Sequence, residues 1–362
     1  MRTVVIAFTN IEYTIELAEA LSELIDVILM IPEHQANRFK HVIKHDIKLD
    51  TFIQPRLRSL SNLLYIFSIT KKINRLNADV IHIQRGHPWF NLVLKFLKCK
   101  VIVTTVHDVE LHSGDKESSR IPQFTNKKPI KYANQVIVHG KELKREMIRK
   151  SYKNGDCINV INRGINSIYR RYIKTQIKEE ENTILYFGRI WRYKGIKYLI
   201  EAEPLISEII PNIKIIIAGR GEDFRERYQK LVVNKEKYTI YNEHISNEKV
   251  AELFLRCSIV VLPYIDASQS GVIPLAYAFK RPVVVTNVGS LPEVVDDGET
   301  GYIVPPRDPK KLAEAIINLL KDNKKIKRMG QNAYKKGKEE LSWDSIALKT
   351  VEVYNKAIKR RS

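Results

Sequence analysis

The chain has 362 residues, too many for one ordinary hydrophobic core and enough for two domains. Its 44% hydrophobic content suits a globular protein, and no run approaches the roughly 20 apolar residues of a membrane helix. The formal charge of +20 divides evenly, +10 over residues 1–168 and +10 over residues 169–362, which excludes a basic tail on a neutral body. A field of this sign attracts nucleic acid, anionic lipid or phosphorylated ligands without choosing among them.

The first apolar run, residues 4–8, is too short for a secretion signal and reads as a buried strand, which predicts a cytoplasmic protein. Further β-branched runs follow at 27–31, 80–83, 101–106, 136–138 and 158–161. A second set occupies 184–187, 213–218, 238–240, 259–262, 282–285 and 302–304. Nearly every position in these runs is apolar, the pattern of parallel strands covered by helices on both faces. Helical spacing fills the gaps, as with Ile11, Ile15, Ala18 and Leu21, or Leu312, Ala315, Ile316 and Leu319. The fold class predicted is α/β: two Rossmann-like, doubly wound domains. The boundaries read as 1–168, 169–340 and a last helical segment, 341–362, with Ile346, Ala347, Thr350, Val351 and Tyr354 on one side. Cys99, Cys157 and Cys257 are odd in number and far apart, so neither a disulfide framework nor a zinc knuckle is expected.

Four segments of the second half carry chemistry. In the stretch 186–195 a strand runs into Gly188, then Arg189 and Lys194 stand five residues apart before a helix. Arginine grips two phosphate oxygens and lysine adds a point charge, an arrangement that stabilises a departing diphosphate. Gly219-Arg220-Gly221 after the next strand marks close backbone approach, although Phe224 stands where a dinucleotide fingerprint has its third glycine. Ser268, Gln269, Ser270, Gly271 and Val272 lead into a helix through small residues whose amides suit an anion. The segment 288–301 reads as a loop, a turn of helix and a tight turn at the same sheet edge. In the first half, His107 and His139 each follow a strand, and Thr9-Asn10 follows the first one. A histidine in such a place bonds a sugar hydroxyl or a phosphate, or is merely structural. His41 and His45 are four apart, a spacing chance often produces, and no Asp-x-Asp occurs, so neither a metal site nor a cofactor is predicted.

Taken together these segments resemble the retaining glycosyltransferases of the GT-B architecture, glycosyltransferase family 4. The match is specific over about residues 182–345 and diffuse before it, where His107-Asp108 and Asn162-Arg163-Gly164-Ile165 are the anchors. The resemblance implies two domains facing a cleft that closes for reaction. The second domain would hold a nucleotide-sugar donor, and the first a glycan or lipid-linked acceptor. It implies that Arg189 and Lys194 bind the diphosphate and that the amides of Ser270, Gly271 and Val272 bind its distal phosphate. Gly219, Arg220, His244 and Ile245 would border the base, with Ser268 and Gln269 also on the donor side. His107 would contact the transferred sugar, Thr9, Asn10 and His139 would lie on the acceptor side, and the final helix would cross back to the first domain. The family also carries two glutamates with seven residues between them. Those positions here hold Ala267 and Leu275, and the glycine-rich loop usual after the first strand is Thr9-Asn10-Ile11-Glu12.

The reading that follows is metal-independent transfer of a hexose from a UDP- or GDP-sugar in polysaccharide or glycolipid synthesis. The alternative is a catalytically degenerate scaffold, which the missing glutamates motivate. A nucleotide-sugar epimerase would need more acidic groups, and nothing marks a nucleic-acid-binding module. Lys141, Lys144, Arg145, Arg149, Lys150 and Lys153 crowd one predicted helix, and Leu60, Leu63, Leu64 and Phe67 follow Arg56 and Arg58. Basic charge beside apolar residues suits an anionic membrane surface as readily as a solvated face.

Overall fold

The computed structural model describes residues 1–59, 61–99, 101–108 and 123–360. Its contacts divide the described residues into two units, 1–164 with 342–360, and 165–341.

The first unit is built on a parallel sheet of β1 (Arg2–Ala7), β2 (Asp26–Pro32), β3 (Lys48–Phe52), β4 (Val80–Arg85), β5 (Ile102–Val106), β6 (Gln135–Val138) and β7 (Ile158–Val160). Helices α1 (Ile11–Ser22), α2 (Glu33–Phe39), α3 (Asn62–Arg75), α4 (Pro88–Leu92), α5 (Gln123–Tyr132) and α6 (Lys141–Arg149) join the strands. The spatial order is β3-β2-β1-β4-β5-β6-β7, and every pair is parallel. In register, Val4 of β1 stands between Ile28 and Ile81.

The second unit repeats the plan. Its strands are β8 (Thr183–Phe187), β9 (Lys214–Ala218), β10 (Tyr238–Tyr241), β11 (Ile259–Leu262), β12 (Val283–Thr286) and β13 (Gly301–Val304), in the order β10-β9-β8-β11-β12-β13. Helices α7 (Ile196–Ile209), α8 (Phe224–Tyr228), α9 (Asn247–Arg256), α10 (Val272–Ala278), α11 (Pro309–Leu320) and α12 (Asn323–Glu339) complete it. Both sheets are Rossmann-like. The chain direction across each reverses beside its first strand, between β1 and β4 and between β8 and β11. Open α/β sheets bind ligands outside the carboxyl ends at that reversal.

The strands form where the apolar runs fall. Every residue of β1 after Arg2 is buried, as are all four residues of β11 and of β12. The exception is β3, an edge strand whose burial runs from two exposed residues to one buried. With only one covered end it needs no continuous apolar run, so Lys48-Leu49-Asp50-Thr51-Phe52 carries no strand signal. Likewise, residues 288–295 close in hydrogen-bonded turns, Val294 N to Leu291 O at 3.1 Å among them, without a helix.

The last helix, α13 (Trp343–Lys359), packs on α1 in the first unit. Ser342 caps it through Ser345 N at 3.2 Å. It buries Ile346, Ala347, Thr350, Val353, Tyr354 and Ala357, while Val351 is only half-buried. A fully buried polar network fastens it. The Tyr354 hydroxyl lies 2.7 Å from His82 Nδ1 on β4, and His82 Nε2 lies 2.8 Å from Thr105 Oγ1 on β5. Among the described residues, no helix is long and apolar enough to cross a membrane.

Candidate functional site

In the second unit the loops leaving β8, β9, β11 and β12 are tied edge to edge. Ile190 N donates to Arg220 O at 2.9 Å, Ile265 N to Tyr193 O at 2.8 Å, and Ser290 N to Ser268 O at 3.2 Å. Close approach sets the glycines. Gly219 has φ 149°, and a Cβ there would run into the Gly188 carbonyl. Gly195, at φ 67°, caps α7, and a Cβ there would run into the Pro263 carbonyl. The β8 and β11 loops therefore meet backbone to backbone at the switch point.

This frame carries the cations. Arg189 and Lys194 are both half-buried. The Lys194 ammonium lies 3.6 Å from the centroid of the Tyr264 ring and 5.1 Å from that of Tyr193. The Tyr186 hydroxyl donates to the Arg189 carbonyl at 2.7 Å, fixing the backbone from which that side chain leaves. Burial pushes the Tyr264 hydroxyl up to about 12, against its hydrogen bond to Ser270 and the charge of Arg189. Arg189, Lys194 and Ser270 are thus gathered about one buried, neutral phenol. Two cations on a rigid strand edge can bind a diphosphate and stabilise charge that develops on it.

The remaining donor-side residues divide. Gly188, Gln269, Ser270, Gly271 and Val272 are half-buried at the same edge. Val272 N, however, donates to Ser270 Oγ at 3.2 Å, so that amide serves the start of α10 itself. Ser268 is buried, Arg220 and His244 are exposed, and Ile245 turns into the core. Ala267 and Leu275, the two positions without a carboxylate, are both buried.

In the first unit, Thr9 is exposed and Asn10 sits in the left-handed region, φ 57°, at the start of α1 beside the β1/β4 reversal. His107 and His139 end β5 and β6, but each is 3% exposed or less. They belong to a ring cluster with Tyr13 and Trp343, the two imidazole centroids 5.0 Å apart. The Arg163 guanidinium lies 4.7 Å from the Tyr13 ring centroid and donates to His107 Nδ1 at 3.1 Å. His139 Nδ1 lies 2.8 Å from the Ile161 carbonyl. Burial, then the charge of Arg163, holds His139 down to about 3. Sequence reasoning gave Tyr264 no role, and Arg163 none beyond membership of a family anchor. Only the three-dimensional placement shows what each touches.

The second unit matches the family profile "Glycosyl transferases group 1" over residues 171–336, and the first matches "Glycosyltransferase Family 4" over residues 12–167. An uncharacterized glycosyltransferase of Methanocaldococcus jannaschii is 30% identical over 316 residues, 80% of this chain and 78% of the relative. The chain belongs to the glycosyltransferases of family 4. Two solved structures share its fold, GT-B. Sucrose-phosphate synthase from Thermosynechococcus elongatus has a TM-score of 0.75 at 20% identity, covering 99% of this chain and 100% of that one. HepE of Anabaena, solved in complex with UDP and glucose, has a TM-score of 0.72 at 16% identity, covering 98% and 99%.

Proposed function

We propose that this glycosyltransferase moves a hexose from a UDP- or GDP-sugar to a glycan or lipid-linked acceptor, with retention, in polysaccharide or glycolipid synthesis. The observation that carries the donor assignment is the placement of Arg189 and Lys194 about Tyr264 at the switch point of the second sheet. The anomeric C–O bond breaks toward the diphosphate, and these cations take the charge a divalent metal would otherwise bear. The UDP in the HepE complex supports a uridine nucleotide. On the acceptor side we assign Thr9 and Asn10 at the β1/β4 reversal, with the buried His107 and His139 at the ends of β5 and β6. The test is a thermal-shift screen against UDP, GDP, ADP and their sugars, with and without EDTA. One nucleotide should raise the Tm equally in both conditions. No shift with any of them sinks the donor site, and a shift that EDTA abolishes sinks metal independence.

A second reading, a scaffold without catalysis, is favoured by buried Ala267 and Leu275, where the resemblance leads one to expect carboxylates. Turnover of a donor sugar that Lys194→Ala abolishes decides against it. We further propose that the first unit docks on anionic membrane. Leu63, Leu64 and Phe67 of α3 are 52%, 76% and 73% exposed, close after Arg56 and Arg58 in the chain. Leu60 lies outside the described residues. Helix α6 ends at Arg149, so Lys150 and Lys153 lie beyond it, and this basic segment contributes less, because Arg145 pairs with Glu142, Lys150 with Glu146, and Lys144 and Lys153 donate to backbone carbonyls.

A further inference from the structure

The ring beneath Lys194 has a task of its own. Tyr264 lies two residues past the end of β11 and is 1% exposed. Its face receives the Lys194 ammonium at 3.6 Å, its hydroxyl is hydrogen-bonded to Ser270, and the Arg189 charge acts on it. Ser270 Oγ in turn accepts the Val272 amide at the start of α10. The Lys194 ammonium and, through Ser270, the helix start therefore converge on one side chain.

We propose that Tyr264 is a positioning residue for the diphosphate: its ring face fixes the Lys194 ammonium, and its hydroxyl fixes Ser270, so that the site prefers a nucleoside diphosphate to a monophosphate. This role rests on the donor-site reading above. A lysine has a long, flexible stem, and ordering it on ligand binding costs entropy. An ammonium already seated on an aromatic face has lost that freedom before the ligand arrives, and the ring's negative face offsets part of its lost hydration. The charge is then in place as the leaving diphosphate forms. A phenol kept neutral by burial is not a rival anion for the cations.

The test is calorimetric titration of UDP, UMP, GDP and GMP into the wild-type protein, Tyr264→Phe and Tyr264→Leu. Wild type should prefer the diphosphate of its base. Tyr264→Phe keeps the ring and should keep most of that preference. Tyr264→Leu should weaken the diphosphate by roughly 5- to 30-fold and leave the monophosphate unchanged. In turnover, kcat should fall further than KM rises, because the cation acts on developing charge. If Tyr264→Leu does not fold, progressively fluorinated phenylalanines at position 264 drain the ring face at nearly constant size, and diphosphate affinity should fall step by step with fluorination. Equal weakening of mono- and diphosphate, a flat fluorination series, or a Tyr264→Leu protein with wild-type preference overturns the role of Tyr264 alone. A wild-type protein that binds none of the four nucleotides overturns the donor site and this role together.

Discussion

Of the two cations, Lys194 lies over the Tyr264 ring and Arg189 leaves a backbone held by the Tyr186 hydroxyl. Both are half-buried, so removing one costs little packing. Lys194→Ala should lower kcat by roughly 10²- to 10³-fold, the usual loss for one preorganised charge-stabilising donor. Its Tm should stay within about 2 °C of wild type, because substitutions away from the core are near neutral. A kcat within threefold of wild type would remove Lys194 from the mechanism. Both cations were marked in the sequence, because a strand end, a glycine and two positive charges suit a diphosphate, although a solvated basic turn reads the same way. Tyr264 was not, because an aromatic residue next to a buried strand reads as core. Arg163 was named only as part of a family anchor, without a role of its own. Its guanidinium only donates, so His107 Nδ1 accepts and the proton of the neutral ring sits on Nε2. No spacing of residues reveals a tautomer set by a partner 56 positions away.

At the level of elements, the site is a set of loops made rigid by their neighbours. Gly195 decides how the β8 loop meets the β11 loop, since it combines a left-handed φ with direct approach to the Pro263 carbonyl. Gly195→Ala must strain the backbone, shift the carbonyl, or both, at a cost of about 1–3 kcal/mol. The expected result is a folded protein, lower in Tm by several degrees, with nucleotide binding weakened at least tenfold; unchanged binding would mean that the two loops act independently. Element type was readable wherever burial is two-sided, which is why β1 and β11 stand out and the edge strand β3 does not. In α3 the same logic exposes a mismatch. Tyr65, Ile69 and Ile73 face the core, so Leu63, Leu64 and Phe67 have no core position left to fill. Replacing those three with serine should abolish flotation with anionic liposomes and leave the Tm unchanged or higher. Flotation that persists, or that needs no anionic lipid, argues against α3 as the docking face.

For the whole molecule, the two units differ in how they should answer acid. His82, His87 and His139 all lie buried in the first unit, and burial holds them down to about 3, 4 and 3 from an ordinary 6.5. Among the described residues of the second unit the one histidine is exposed His244. The unfolded chain takes up protons near pH 6.5 where the folded unit does not, so in that window the unfolded state binds more protons. Stability of the first unit is complete above about 6.5 and falls as the pH drops toward 4, by up to about 1.4 kcal/mol per pH unit for each histidine. Carboxylates act lower. Hydrogen bonds from Arg256, above all, and from Lys214 lower Glu180 in the second unit below its ordinary 4.5, so its contribution is present above 4.5 and lost only beneath it. Between pH 6.5 and 5 the acid response should therefore belong to the first unit alone. Hydrogen-exchange protection factors test this directly: β1, β4 and β5 should lose protection across that interval, while β8 and β11 keep theirs. Helix α13 should follow the first unit although it comes last in the chain, because Tyr354 is fastened to His82 itself. Equal loss in both sheets, or an α13 that tracks β8, would show that charge repulsion across the whole +20 chain, and not the buried histidines, governs its acid stability.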